Sequence, residues 1–254
     1  MRYRAILTPV VLFLLSLGVG GSAVADSAQI AVAANFLAPA RQLAADFGRT
    51  SGHAIIIVGG ASGKLYAQIA NGAPFDALLS ADAAIPEKLQ AAGLAPAGAR
   101  FTYAIGRLVL WSPQPGRVDA RGEVLKTGRF RHLAMASPKL APYGFAAQQT
   151  LSALGLRERL GDRIVFGENI GQTHQFVTSD NAELGFVALS QVTINGKPVA
   201  GSAWIVPAAL HDPIRQDAVL LAHGRDNAAA VAFLAYLRGD AARRTIAAFG
   251  YALP

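Results

Sequence analysis

The sequence predicts an α/β fold, with parallel sheets covered by helices on both faces. One observation is a phrase that repeats from Gln29 onward: a short β-prone run, a loop holding Gly, Ser, Asn or Pro, then a segment of helical period. The other is compositional. A chain of 254 residues with 52% hydrophobic and 15% charged side chains can bury a sizeable core, which excludes disorder. At ~150 residues per domain, the length suits one large domain or two modest ones.

The elements follow in order. Residues 1–25 stand apart: Arg2 and Arg4, the apolar run 5–19, and small residues ending Ala23-Val24-Ala25 form a secretory signal peptide cleaved after Ala25. No later segment offers the ~18 unbroken apolar residues of a membrane span. The run 29–34 leads through Asn35 into a helix reaching Phe47, on which Leu37, Ala40, Leu43, Ala44 and Phe47 share one face. A β-branched run 54–58, a loop 59–63 and a helix 64–70 stopped by Asn71-Gly72 come next. Then follow a strand 77–80, a helix 83–92, and a strand 105–111 bounded by Pro113 and Pro115. The phrase resumes with strand 132–136, a Pro-containing loop, and helix 145–154 ended by Gly155. Strands 164–166 and 184–188 flank a helix 170–178; strands 204–206 and 214–221 precede closing helices at 226–238 and 240–249.

Several function classes fall to the same reading. The net charge is +7, but the cations are scattered, and Arg129/Arg131, Arg157/Arg159/Arg163 and Arg243/Arg244 are not interleaved with stacking aromatics, so no nucleic-acid partner is expected. The chain has no Cys, so an exported protein must rely on an ordinary core. His53, His132, His174, His211 and His223 lack metal-ligand spacing, and no metal cation is expected. Gly60-Ala61-Ser62-Gly63-Lys64 misses the G-x-S-x-G nucleophile elbow by one residue, since Lys64 stands where Gly is needed. As a phosphate loop it misses twice, at Val58 and Leu65. His53, Asp76 and Asp82 could be offered as triad partners, yet nothing local supports them.

What remains is placement. Asn35, Ser62, Pro142-Tyr143-Gly144 and Asn169-Ile170-Gly171 all sit where a strand hands over to a helix. Helix starts carry unpaired N–H donors and about half a positive charge, so several of them aimed at one point would hold a small anion. Plain N-capping by Asn and Ser is the competing reading.

Longer phrases carry a family resemblance. They are Ala31-Val32-Ala33-Ala34-Asn35-Phe36, Gly60-Ala61-Ser62-Gly63, Gly72-Ala73-Pro74-Phe75-Asp76 with Leu79-Ser80-Ala81-Asp82, Ala141-Pro142-Tyr143-Gly144, Glu168-Asn169-Ile170, Glu183-Leu184-Gly185-Phe186-Val187, and the closing Phe249-Gly250-Tyr251. Together the sequence resembles the periplasmic molybdate-binding proteins of ABC importers across the whole mature chain. The resemblance implies a two-lobed periplasmic-binding-protein fold of type II, each lobe a mainly parallel sheet flanked by helices. Lobe one would be 26–107 plus 212–254, and lobe two 108–211. It implies a periplasmic monomer that captures molybdate or tungstate and passes it to an inner-membrane permease, with no enzyme activity and no cofactor. The ligand set it implies is Asn35, Ser62, Tyr143 and Ile170. One branch of the family has a Tyr where this sequence has Ala188, and Tyr143 is expected to supply a phenol instead. Sulfate or another oxyanion is the alternative ligand, and an exported α/β hydrolase using Ser62 the alternative class.

Overall fold

The computed structural model describes residues 26–194 and 197–254; the signal-peptide segment 1–25 lies outside the described residues. β1 (Ser27–Ala33) runs into a 3-10 turn at Ala34–Phe36 and then α1 (Leu37–Ser51), which ends on Gly52 at φ 78°. β2 (Ala54–Gly60), α2 (Ser62–Ala70), β3 (Ala77–Leu79), α3 (Ala84–Ala91) and β4 (Arg100–Gly106) follow. The next stretch is β5 (Leu108–Ser112), α4 (Val124–Thr127), β6 (Leu133–Ala136), α5 (Pro142–Ala153), α6 (Arg157–Leu160), β7 (Ile164–Gly167), α7 (Ile170–Thr178) and β8 (Leu184–Ala188). The chain closes with β9 (Thr193–Ile194), β10 (Lys197–Pro198), β11 (Ser202–Ile205), β12 (Ile214–Leu220), α8 (Ala228–Leu237) and α9 (Asp240–Ala248).

Two five-stranded sheets organise these elements, in the orders β2-β1-β3-β12-β4 and β11-β5-β8-β6-β7. In the first, β1 pairs in parallel with β2 and β3, while β12 is antiparallel to β3 and β4. In the second, β6 is parallel to β7 and β8, while β5 is antiparallel to β8 and β11. Each sheet therefore has four strands pointing one way and one reversed strand beside an edge. This refines the expectation of mainly parallel sheets: strand direction is mainly parallel, but the reversed strand lies inside, so both sheets are mixed. The reversed strands are the two that begin once the chain has changed sheets. β5 follows β4 across Arg107, and β12 follows β11 across residues 206–213.

Two boundaries correct the sequence reading. The expected strand 105–111 is the end of β4 and most of β5, split at Arg107; hydrophobic period cannot register a change of sheet. The helix expected at 145–154 starts three residues earlier, because Pro142 occupies its first position, where a fixed φ suits the turn and the missing N–H costs nothing. Tyr143 is thus a helical residue.

Both faces of each sheet are buried. Around the first, one core gathers Ile30, Val32, Phe36, Leu43 and Phe233, and another Leu65, Leu78 and Leu89. The largest core of the second joins Leu108, Phe186, Met135 and Leu151, and reaches across to Ala33, Ala81 and Ile214 of the first sheet. Burying side chains of this size contributes ~1.5–3 kcal/mol each. Gly144 is needed for close approach: a Cβ there would lie 2.2 Å from the Ala136 carbonyl oxygen, so only glycine lets the start of α5 settle on the end of β6.

Candidate functional site

Between the two sheets lies a small cavity, about 10 Å³, lined by Asn35, Ser62, Ala81, Tyr143, Asn169, Ile170 and six neighbours; no charged residue lines it among the described residues. It brings together the four residues singled out from the sequence. Asn35 comes from the 3-10 turn that leaves β1, and Ser62, Tyr143 and Ile170 from the first turns of α2, α5 and α7. A more open depression continues outward, sharing Ala34, Gly60 and Asn169.

The helix starts leave donors free. The first bonds of α5 run from Gly144 N and Phe145 N to the Ala141 carbonyl, and those of α7 from Gln172 N to Asn169 Oδ1 and from Thr173 N to the Asn169 carbonyl. Ser62, Tyr143 and Ile170 precede these rungs, and their N–H groups have no acceptor among the described residues. Of the Asn and Ser side chains at these junctions expected as possible caps, Asn35 and Ser62 are not caps. The N-cap positions of α1 and α2 are Phe36 and Ala61, and neither helix has a side-chain cap bond. Ser62 Oγ instead accepts from Ala81 N at 3.1 Å, which leaves its hydroxyl hydrogen unused. Asn169 is the capping residue, on α7.

Asn35 is held from behind. Its Nδ2 lies 2.8 Å from Gln216 Oε1 and 2.9 Å from the Tyr251 hydroxyl, while its buried Oδ1 has no partner among the described residues. Its carbonyl accepts from Tyr251 and from Ser190 Oγ, both at 2.9 Å. Gln216 Nε2 donates to the Tyr143 hydroxyl at 3.1 Å, and the Tyr103 hydroxyl faces both Gln216 Oε1 at 3.0 Å and the Ser80 carbonyl at 3.1 Å. Phe36 meets Tyr103 and Tyr251 edge-on, with ring centroids 4.7 Å and 5.4 Å away, and so locks the turn that presents Asn35. Burial, above all, pushes the phenols of Tyr103, Tyr143 and Tyr251 well above their usual range. All three keep their hydrogens at neutral pH.

Other sequence candidates point elsewhere. Asp82 Oδ1 accepts from Ile85 N at 2.8 Å in the first turn of α3, and desolvation raises its carboxyl despite that bond. Asp76 Oδ2 accepts from Gln29 N, and its Oδ1 meets His223 Nδ1. His53 Nδ1 accepts from Asp26 N. These groups are committed to structure, and no imidazole bonds Ser62 among the described residues. Nor does any group of three His, Asp or Glu suited to a metal ion occur there. No described helix is long and apolar enough to cross a membrane.

Sequence reasoning missed Gln216, Tyr103, Ser190 and any role for Tyr251. The one local signal was the pair Gln216-Asp217 inside an apolar strand. Both are buried, and the β12–β4 register shifts between them, a bulge that re-aims neighbouring side chains beside a site. The cleft is also bridged directly. Gly63 N donates to the Leu140 carbonyl at 3.1 Å, and Lys64 Nζ lies 2.7 Å from Glu168 Oε2.

Two mixed sheets joined by two crossings, with a donor-lined cavity between them, define a solute-binding protein. Residues 28–252 match the model of the bacterial extracellular solute-binding proteins, and the chain belongs to that family. Within it, the chain is 53% identical over 242 residues to "Molybdate-binding protein ModA" of Azotobacter vinelandii, covering 94% of this chain and 96% of that relative. It is 47% identical over 237 residues to the protein of the same name from Rhodobacter capsulatus, covering 93% and 92%. The solved structure described as "Azotobacter vinelandii periplasmic molybdate-binding protein" superposes with a TM-score of 0.87 at 45% identity, over 89% of this chain and 99% of that one. These matches bear out the resemblance seen in the sequence phrases, and with it the two-lobed fold of type II.

Proposed function

We propose that this chain is an exported carrier that captures molybdate or tungstate between its lobes and hands it to the permease of an ABC importer. The ligands in this reading are the side chains of Asn35 and Ser62 with the backbone N–H groups of Ser62, Tyr143 and Ile170. The observation that carries it is the uncharged cavity on which the Ser62 hydroxyl and the helix-start N–H groups of Ser62, Tyr143 and Ile170 converge from both sheets. A dianion held by dipoles alone can be desolvated without a fixed counter-charge and can leave when the lobes part. Lobe one is taken as 26–107 plus 212–254 and lobe two as 108–211. The segment 1–25 serves as a cleaved export signal, which makes the working compartment the periplasm. The carrier acts as a monomer and catalyses nothing.

The chemistry also sets selectivity. Phosphate near neutral pH keeps a proton that needs an acceptor, and a buried bond left unmade costs ~1–3 kcal/mol. Sulfate needs no acceptor, but its shorter bonds leave donors fixed on backbone out of reach. In this reading Tyr143 serves through its N–H, and its hydroxyl, which accepts from Gln216 Nε2 at 3.1 Å, braces that side chain. A thermal-shift panel of molybdate, tungstate, sulfate, phosphate and citrate tests the reading. Molybdate and tungstate raise the melting temperature strongly, since a thousand-fold excess over Kd adds ~4 kcal/mol. A panel in which sulfate or citrate stabilises most would refute it, and turnover of generic esters abolished by Ser62→Ala would restore the hydrolase.

A further inference from the structure

The carboxamides of Asn35 and Gln216 face each other in a closed set of partners: Tyr103, Tyr143, Tyr251, Ser190 and the Ser80 and Asn35 carbonyls. The oxygen and nitrogen ends of a carboxamide are nearly isosteric, so a half-turn of each exchanges them without moving any other atom. Proton counting separates the two arrangements. With Asn35 Nδ2 directed at Gln216, two faults arise. Asn35 Oδ1 is buried with no donor, and Asn35 is only 3% exposed. The single hydrogen of the Tyr103 hydroxyl is also shared between two acceptors, the Ser80 carbonyl and Gln216 Oε1.

Turning both amides together removes both faults. Gln216 Nε2 then spends its two hydrogens on Asn35 Oδ1 and the Tyr103 oxygen, and Tyr103 donates to Ser80 alone. Tyr143 donates to Gln216 Oε1, and Tyr251 can donate to Asn35 Oδ1. The cost falls on Tyr251, whose single hydrogen then has Asn35 Oδ1, the Asn35 carbonyl and Ser190 Oγ to serve, all at 2.9 Å. The two hydrogens of Asn35 Nδ2 are left for the cavity that Asn35 lines. We propose that Gln216 is a positioning residue, which donates through Nε2 to Asn35 Oδ1 and so fixes Asn35 as a double donor toward the oxyanion. This rests on the oxyanion reading for its ligand, although the polarity of the network does not. It also accounts for three phenols around a neutral amide: no charged side chain bonds Gln216 among the described residues, so no titration between about pH 5 and pH 9 can reverse the network.

Gly106 belongs to the same device. A Cβ there would lie 2.2 Å from the Tyr143 hydroxyl and 2.7 Å from Gln216 Nε2, so glycine leaves room for the two groups to meet.

Proton NMR on 15N-labelled protein reads the polarity directly, with and without saturating sodium molybdate. The Gln216 side-chain NH2 should show cross-relaxation to the Tyr103 ring protons and not to those of Tyr143. The opposite pattern overturns the proposal. In parallel, Gln216→Glu presents only acceptors at about pH 8 and forces Asn35 Oδ1 toward the cavity, so molybdate affinity by calorimetry should fall at least about thirtyfold. A folded variant within about threefold of the parent would also overturn it. If the variant does not fold, the NMR pattern decides. If the parent gives no heat with molybdate, the oxyanion reading fails, while the spectrum without ligand still reports whether Gln216 orients Asn35.

Discussion

Gln216 and Asp217 are neighbours on β12, both buried, and serve opposite ends. Asp217 takes a guanidinium and a hydroxyl: Arg100 Nη1 at 2.5 Å and Thr102 Oγ1 at 2.7 Å. Gln216 meets only amides and phenols. One strand thus keeps its fixed charge and countercharge in one cluster and a wholly neutral cluster beside the cavity. The difference teaches where charge is tolerated near the cavity: in pairs, and away from the wall. The other carboxylates follow suit, as Asp76, Asp82 and Glu183 all hold backbone N–H groups outside the cavity lining.

The hardest test of that division is Asp217→Ala. It leaves Arg100, whose side chain is 31% exposed, with Glu87 Oε1 at 3.0 Å as its remaining carboxylate, and leaves Thr102 Oγ1 without its acceptor, so the cost falls below the usual 3–5 kcal/mol for a broken buried pair, at about 2 kcal/mol. Urea unfolding should show that loss, while calorimetry on the folded variant finds molybdate Kd within about threefold. A collapse in affinity would mean that the two clusters are coupled. Ser62→Ala attacks the neutral side. It should weaken molybdate binding by about 2 kcal/mol and stability by about 1 kcal/mol, since Ala81 N–H also loses its acceptor. An unchanged Kd would make Ser62 purely structural.

Glu183 sharpens the contrast through pH. Desolvation pushes its carboxyl up, but the His132 N–H, the Arg131 side chain and the Arg131 N–H outweigh this and hold it at about 2, against 4.5 when unperturbed. A depressed folded pKa stabilises above 4.5 and loses that contribution as pH falls towards 2. Glu183→Gln should therefore cost about 1–2 kcal/mol at neutral pH, and its unfolding curve should converge with the parent's in acid. A gap that persists at about pH 2 would assign the loss to packing. Smallest is Tyr143→Phe, which removes one neutral bond to Gln216: about 0.5–1.5 kcal/mol of stability, with a lesser effect on affinity. A loss of affinity exceeding that of Ser62→Ala would put the phenol itself on the anion.

How far these clusters could be read from sequence depends on distance along the chain. The helix at 170–178 and the strand at 184–188 were legible to the residue, because Asn169 caps the first and a short apolar run forms the second. The junctions that hold Asn35, Ser62, Tyr143 and Ile170 were legible because a strand-to-helix handover is local, while their choice as a ligand set came with the family resemblance. Tyr143 was placed in a loop only because Pro142 reads as a breaker when it is in fact a starter. The network behind Asn35 was not legible: Gln216 lies 181 residues away and Tyr251 lies 216, and no local pattern records a meeting made by the return of the chain to its first sheet.

That return has a mechanical consequence. The lobes are joined twice, at Arg107 and at 206–213, and the two connections lie side by side, with Val206 N bonded to the Leu108 carbonyl at 3.0 Å. A body held by one tether can wander in three angles; one held by two adjacent tethers keeps only rotation about the line through both, since any other displacement stretches one of them. The cleft therefore opens like a door on two pins. Opening about that axis must break the bond from Gly63 N to the Leu140 carbonyl, which spans the cleft at 3.1 Å.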